Sequence, residues 1–290
     1  NQDATLTLMN SAPESPVTGS DPRENQSHSS VIEPSGQFLY VVAGTGPSTL
    51  RAYKIDTTST SSTFGIPTFI TSPAPQSFPV GVHAHNVTIS PNGQFLYVAV
   101  ESPDDINPTG EVRAFQRNTS DGTLTPRNTI TGLIGVTAVK VNPQNTFLYA
   151  AHVNAVDVYA IAADGSISSI PPPSSFDTQP NGSGPHSMAM HPTGQFLYTA
   201  NINASTISVF SVNSATGALT PMQTSPRPAT GADPNYIWIH PNGQMLWTAD
   251  TVADQLSRFT INADGTLTAT TPIAPAVVGD GPNGIQTTNK

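Results

Sequence analysis

One clause recurs five times along the chain: "EPSGQFLYVVA" at 33–43, "SPNGQFLYVAV" at 90–100, "NPQNTFLYAAH" at 142–152, "HPTGQFLYTAN" at 191–201 and "HPNGQMLWTAD" at 240–250. Each copy is a proline-led tight turn followed by a strand-like run with aromatic or large apolar residues at alternate places. The prolines are Pro34, Pro91, Pro143, Pro192 and Pro241, spaced 57, 52, 49 and 49 residues apart. A period near ~50 residues marks a four-stranded propeller blade or another solenoid-like array.

The text around each copy completes the unit. An alternating run such as "HSMAMH" comes first, then the Pro-x-Gly turn, then the "QFLYTAN" strand. A third strand follows ("TLRAYKI", "EVRAFQR", "AVDVYAI", "TISVFSV", "QLSRFTI"), and an Asp-Gly or Thr-Gly hairpin signal leads into a fourth, such as "TLTPR" or "ALTPM". Period-2 patterning with almost no helical periodicity implies an all-β radial propeller. The blades are placed at about 27–78, 79–132, 133–181, 182–231 and 232–278, in one domain spanning 1–290. Phe38, Phe95, Phe147, Phe196 and Met245 are read as blade core, as are Tyr40, Tyr97, Tyr149, Tyr198 and Trp247.

Residues 3–9 match outer-strand text and 281–288 match inner-strand text, which predicts a partial sixth blade built from both ends of the chain. Its middle two strands have no text. Three readings stand side by side: a reduced blade, an incomplete sequence, or a blade completed by another chain, since open strand edges are pairing templates.

Composition narrows the partners. Charged residues are 10% of the chain, against roughly 25% in an average soluble domain, and the formal net charge is −9. There is no basic patch, which argues against nucleic acid, and no apolar run of spanning length, which argues against membrane insertion. Cysteine is absent, so thiolate chemistry is excluded. Low charge, abundant Thr and Asn and no Cys suit an exported protein, extracellular or periplasmic. Five N-x-S/T sequons (Asn25, Asn86, Asn118, Asn181, Asn203) are what a chain of this composition produces by chance.

The blade text "HPTGQFLYTANINASTISVFSVNSATGALTPM", with "SPNGQFLYVAV" and "GPHSMAMHPTG", resembles the lactonase-type seven-bladed propellers, a group that includes 6-phosphogluconolactonase-like and carboxymuconate-cyclase-like proteins. The resemblance covers nearly the whole chain and implies the propeller fold and a lactone ring-opening or ring-closing reaction. Seven blades at this period would need roughly 350 residues. The resemblance also implies a His, a Glu and Arg residues at one end of the central channel. His85 stands where the family has its His; His186, Thr251 and Asn283 stand where it has Arg, and Ile202 where it has Glu. A lactone carbonyl gains negative charge at the tetrahedral stage, and these replacements remove its cationic donors and the obvious base.

Counting back six residues from each turn proline gives a second constellation: His28, His85, Thr137, His186 and Asn235, with Asn283 at the corresponding place in the closing segment. Equivalent positions in a propeller face one level of the axis, so these form a polar ring at a channel mouth, with His83 beside it. The plain reading is a solvated channel lining that can hold a small-molecule ligand. The catalytic candidates are His85 and His186, and His28, His85 and His186 are the candidates for a divalent metal; no other cofactor is expected. His191 and His240 precede turn prolines and belong to turn structure. "ESPDDINPTGE" places Glu101, Asp104, Asp105 and Glu111 in what reads as a solvated acidic loop without calcium-loop spacing. The functional expectation is a secreted, lactonase-like propeller with a degenerate site, a structural or binding module that self-associates through its incomplete blade. The alternative is an active lactonase working on a sugar-acid lactone at the channel mouth.

Overall fold

The computed structural model describes residues 27–43, 47–72, 76–101, 110–178, 183–222, 228 and 230–273. Those residues are all-β, in five antiparallel sheets that follow the five repeats. The first holds β1 (Ser27–Ile32), β2 (Phe38–Ala43), β3 (Pro47–Ile55) and β4 (Pro67–Phe69), with β5 (Ser77–Val82) also paired to β3. The second is β6 (Ala84–Ile89), β7 (Phe95–Val100), β8 (Gly110–Arg117) and β9 (Leu124–Leu133). The third is β10 (Val136–Val141), β11 (Phe147–His152), β12 (Ala155–Ile161) and β13 (Ile167–Ser169), with β14 (Ser175–Asp177) also on β12. The fourth runs β15 (Pro185–Met190), β16 (Phe196–Asn201), β17 (Thr206–Val212) and β18 (Leu219–Pro221). The fifth runs β19 (Pro234–Ile239), β20 (Met245–Asp250), β21 (Gln255–Ile261) and β22 (Leu267–Ile273).

The five four-stranded blades expected from the repeat are therefore present. The terminal strands expected at 3–9 and 281–288 lie outside the described residues. One sheet reaches past its expected end. β4 covers only part of the nine-residue β3, leaving backbone groups on the outer edge of β3 to be paired, and β5 takes them across residue 78. The third blade solves the same problem inside its own span, where β13 and β14 share β12.

The repeated aromatic pair does more than fill each blade. Tyr40, Tyr97, Tyr149 and Tyr198 are fully buried. Their hydroxyls donate to the carbonyls of Gly122 (2.8 Å), Gly165 (3.1 Å), Gly217 (3.1 Å) and Gly265 (2.8 Å), each in the outer hairpin of the following blade. Phe38, Phe95, Phe147 and Phe196 lie against the same four glycines. Those residues have φ between +75° and +85°, a region where a side chain is strained, and a Cβ there would strike the ring. Each Phe-x-Tyr thus reads the Asp-Gly or Thr-Gly turn of its successor.

The first junction carries a further clamp. Buried Arg117 donates Nε to Tyr40 Oη at 2.9 Å and Nη1 to the Gly93 carbonyl at 2.8 Å, stands 3.4 Å from Glu33 Oε2, and covers the Phe38 ring at 5.0 Å. The Glu33 carboxyl sits below its ordinary range: burial opposes this, but the Ser35 side chain and backbone amides of the turn stabilise the carboxylate.

The innermost strands β1, β6, β10, β15 and β19 pack side by side in chain order around the axis. Side chains lace them together: Val87 N donates to Ser29 Oγ, Val139 N to Asn86 Oδ1 and Ile237 N to Ser187 Oγ.

Candidate functional site at the channel mouth

The inner strand of every blade carries a β-bulge at the same place. The registers slip between Ser27 and Ser29, Ala84 and Asn86, Val136 and Ala138, Pro185 and Ser187, and Pro234 and Tyr236. The extra residues are His28, His85, Thr137, His186 and Asn235, the ring positions counted from the prolines. A bulge leaves its extra residue out of the ladder and re-aims its side chain. That is the local reason His85, Thr137, His186 and Asn235 turn away from the blade.

Two residues before the bulge the backbone is left-handed in four blades: His83 (φ 57°), Gly135 (60°), Gly184 (62°) and Asp233 (62°). Glycine takes this conformation without cost, whereas histidine and aspartate hold it under strain. The carbonyl of each accepts a hydrogen bond from the residue after the second strand. These are Glu101 N to His83 O at 3.0 Å, Val153 N to Gly135 O at 3.4 Å, Ile202 N to Gly184 O at 2.9 Å and Thr251 N to Asp233 O at 2.9 Å. The mouth is thus one three-part device repeated around the axis, holding a left-handed residue, a bulge residue and a capping residue.

Blades two to five fill this device with polar groups that meet. His85 Nε2 and Glu101 Oε2 are 2.6 Å apart, both side chains partly buried. A carboxylate only accepts, so the proton is on Nε2, and in the neutral ring Nδ1 is the acceptor. The His85 hydrogen bond holds the Glu101 carboxyl below its ordinary range, with burial opposing and the His83 and His186 rings assisting. The His186 ring meets His85 edge-on, with centroids 5.9 Å apart at 84°. Its Nδ1 lies 3.0 Å from the Asn235 carbonyl, so Nδ1 carries the proton and Nε2 the lone pair. Burial lowers the His186 pKa; the bond to Asn235 opposes this, and the neighbouring His85 adds to it. Asn235 Nδ2 donates to Thr251 Oγ1 at 2.7 Å, and Thr137 Oγ1 donates to the Pro185 carbonyl at 2.7 Å.

His85, His186, Thr137 and Asn235 therefore come together at one mouth, with His83 contributing its backbone. The side chain of His28 and all of Asn283 lie outside the described residues. Of the three residues considered for a metal, only His85 and His186 are seen to meet, and His85 is engaged by Glu101. Among the described residues, no three His, Asp or Glu side chains are grouped to hold an ion. The turn histidines behave as turn residues: His191 Nδ1 accepts from Thr193 N, and its Nε2 reaches the Gly243 carbonyl of the next turn at 3.0 Å.

Sequence reasoning missed Glu101. It stands first in "ESPDDINPTGE" and was assigned to a solvated acidic loop, yet it caps the second blade and pairs with His85. Aligning the residue after each second strand (Glu101, Val153, Ile202, Thr251) would have found it. Ile202, where the resemblance implies a carboxylate, holds the same structural position two blades on.

Five radial blades around an inner ring of bulged strands, with an imidazole–carboxylate pair at one mouth, define a β-propeller with a polar channel-end site. A family profile described as "Lactonase, 7-bladed beta-propeller" matches residues 70–170 and 168–288, and the chain belongs to that family. Among solved structures, the chain is similar to the periplasmic gluconolactonase PpgL of Pseudomonas aeruginosa. That match has 22% identity and a TM-score of 0.69, over 85% of this chain and 72% of that one. It is also similar to a functionally unknown protein from Desulfotomaculum acetoxidans, with 16% identity and TM-score 0.66, over 89% and 73% of the two chains. A third match is a protein from Lactobacillus plantarum, with 21% identity and TM-score 0.65, over 86% and 71%. No curated protein matches. At these identities the structural likeness establishes the fold.

Proposed function

We propose that this propeller hydrolyses a lactone at the channel mouth, with His85 as general base. The observation that carries the reading is the 2.6 Å His85–Glu101 pair with the His186 ring edge-on to it. In this scheme His85 Nδ1 takes a proton from water as the water oxygen attacks the lactone carbonyl carbon. Glu101 fixes the ring orientation and stabilises the imidazolium as it forms. The tetrahedral species then collapses, the ring C–O bond breaks, and the imidazolium returns its proton to the leaving alkoxide, giving a hydroxy acid. His186 stays neutral and presents Nε2 as an acceptor for the water or a substrate hydroxyl.

The absence of Arg at 186 and 251 and of Glu at 202 sets the reaction apart from the arrangement the resemblance implies, and predicts modest rates. The test is hydroxy-acid release from a lactone panel by pH-stat, with wild type, His85→Ala and Glu101→Gln compared. Hydrolysis no faster than buffer in wild type, or His85→Ala as active as wild type, would end this reading. An exported location is part of it, supported by the low charge and by the periplasmic gluconolactonase among the similar structures.

A second reading, a binding module that self-associates, is favoured by the flanks of the blade array. Leu96, Leu148, Leu197 and Leu246 are fully buried, whereas the equivalent Leu39 of the first blade is partly exposed, as are Met245 and Trp247 of the fifth. A second copy would cover such faces. Native mass at low and high concentration tests it; a monomer throughout removes it.

A further inference from the structure

The mouth has an unusual rim. Six large apolar side chains are exposed among the described residues: Ile32, Phe64, Val82, Ile134, Val153 and Val252. One of them, Val153, is part of the repeated mouth device, and three others directly adjoin it in sequence. Val82 precedes the left-handed His83, and Ile134 precedes Gly135. Val153 is the capping residue of the third blade, and Val252 follows Thr251, that of the fifth. Their exposures run from 37% for Val82 to 69% for Val252. The partly exposed Ile202 caps the fourth blade in the same way. Scattered exposed aliphatics need no explanation, but a set gathered by register around a polar centre marks a ligand surface.

The charges at this level point the same way. The mouth carries Glu101, held ionised by His85, and Asp233; none of the left-handed, bulge and capping residues of the second to fifth blades is Lys or Arg. Among the described inner strands the one cation is Lys140. It stands three residues along β10 from Thr137, on the order of 10 Å deeper at ~3.3 Å per residue. A phosphorylated or carboxylated lactone at the His85–His186 centre would therefore meet carboxylates, with no lysine or arginine among these described mouth positions.

Resting on the hydrolase reading above, we infer that the substrate is an uncharged lactone bearing an aliphatic or aryl substituent. The lactone ring would sit over the His85–His186 pair at the mouth, and the substituent would lie over the rim formed by Val82, Ile134, Val153 and Val252. Burying each methylene on such a rim raises kcat/KM by roughly threefold until the rim is covered.

The experiment compares γ- and δ-lactones of increasing alkyl length with glucono-1,5-lactone and its 6-phosphate, using the whole chain. The expected result is kcat/KM rising with chain length, the 6-phosphate the poorest substrate, and the alkyl-to-sugar ratio falling at least tenfold in Val153→Asp/Val252→Asp. Equal or better turnover of the 6-phosphate, or a ratio unmoved by the double variant, overturns the inference and leaves the hydrolase reading standing. If no lactone is turned over, the hydrolase reading falls. Calorimetric binding of the same lactones to His85→Ala then decides the inference by itself: tighter binding of longer alkyl lactones upholds it, and no such order refutes it.

Discussion

Substituting Gly165 by alanine tests the inter-blade latch most directly. Gly165 has φ +84°, and a Cβ there would lie 2.1 Å from Cδ1 of Phe95 in the preceding blade. Its carbonyl also accepts the Tyr97 hydroxyl at 3.1 Å. Forcing a side chain into the left-handed region costs about 1–2 kcal/mol. Displacing a packed aromatic ring adds about 1–3 kcal/mol, and a disturbed buried hydrogen bond adds about 1 kcal/mol. The sum is roughly 3–6 kcal/mol, a large share of a domain's stability. Gly132 is a natural control: its φ is +83°, yet nothing lies within 4 Å of its Cβ position. Gly132→Ala should cost only the backbone part, about 1–2 kcal/mol. Equilibrium urea unfolding of both variants, and of Gly165→Ala in a Phe95→Leu background, separates the contributions. If Gly165→Ala costs no more than Gly132→Ala, or loses the same stability with Leu at 95, the ring contact is not what excludes a side chain.

Arg117→Met should destabilise the first junction by about 1–3 kcal/mol, chiefly because the buried Gly93 carbonyl and Tyr40 hydroxyl lose their charged donor; thermal unfolding of the variant beside wild type and Glu33→Gln reads it. Lys140 keeps partial solvent exposure but is closely surrounded by protein, and desolvation lowers its pKa from 10.5. The unfolded chain then holds the proton more firmly, so wild-type stability should rise as pH is raised toward 10.5, and Lys140→Met should flatten that rise in a pH series of urea melts. For His186, burial depresses the pKa below 6.5, so protonation on acidification favours the unfolded chain and removes the neutral acceptor. Stability and lactone hydrolysis should therefore both decline as pH falls below 6.5, and His186→Gln should abolish that component of the stability profile. Glu101→Gln should lower kcat by about 10- to 100-fold with little change in KM, since it withdraws support from the imidazolium and leaves the rim intact.

The blade architecture was legible because its determinants are local and repeated. A proline-led turn, a strand with large side chains at alternate places (Phe-x-Tyr in four blades, Met245-x-Trp247 in the fifth) and a hairpin glycine specify one blade, and five such units specify the array. The bulge positions of the described inner strands were legible for the same reason, since counting back from each proline lands on them. What stayed hidden depends on three dimensions. The meeting of His85 and His186 across the intervening blade depends on how tightly β6, β10 and β15 curve, which no spacing encodes. Glu101 hid among acidic neighbours because its role is set by a backbone hydrogen bond to His83, and the left-handed turn there is disguised by a non-glycine residue. The same turn is plain in the third and fourth blades, where Gly135 and Gly184 hold it.

The latch between each Phe-x-Tyr strand and the next hairpin glycine has a direction. A blade recognises its successor through one set of groups and is recognised by its predecessor through another, as links in a chain carry a hook at one end and an eye at the other. Such a grammar has no word for the total. Any number of links is locally correct, and ring size is settled only by the wedge angle between neighbours and by whatever joins the two ends. A lineage built this way can gain or shed a whole link by duplication or deletion without rewriting any junction. The chemistry at the mouth must then be carried by whichever links are present, as the pairing of His85 with Glu101 inside a single blade illustrates.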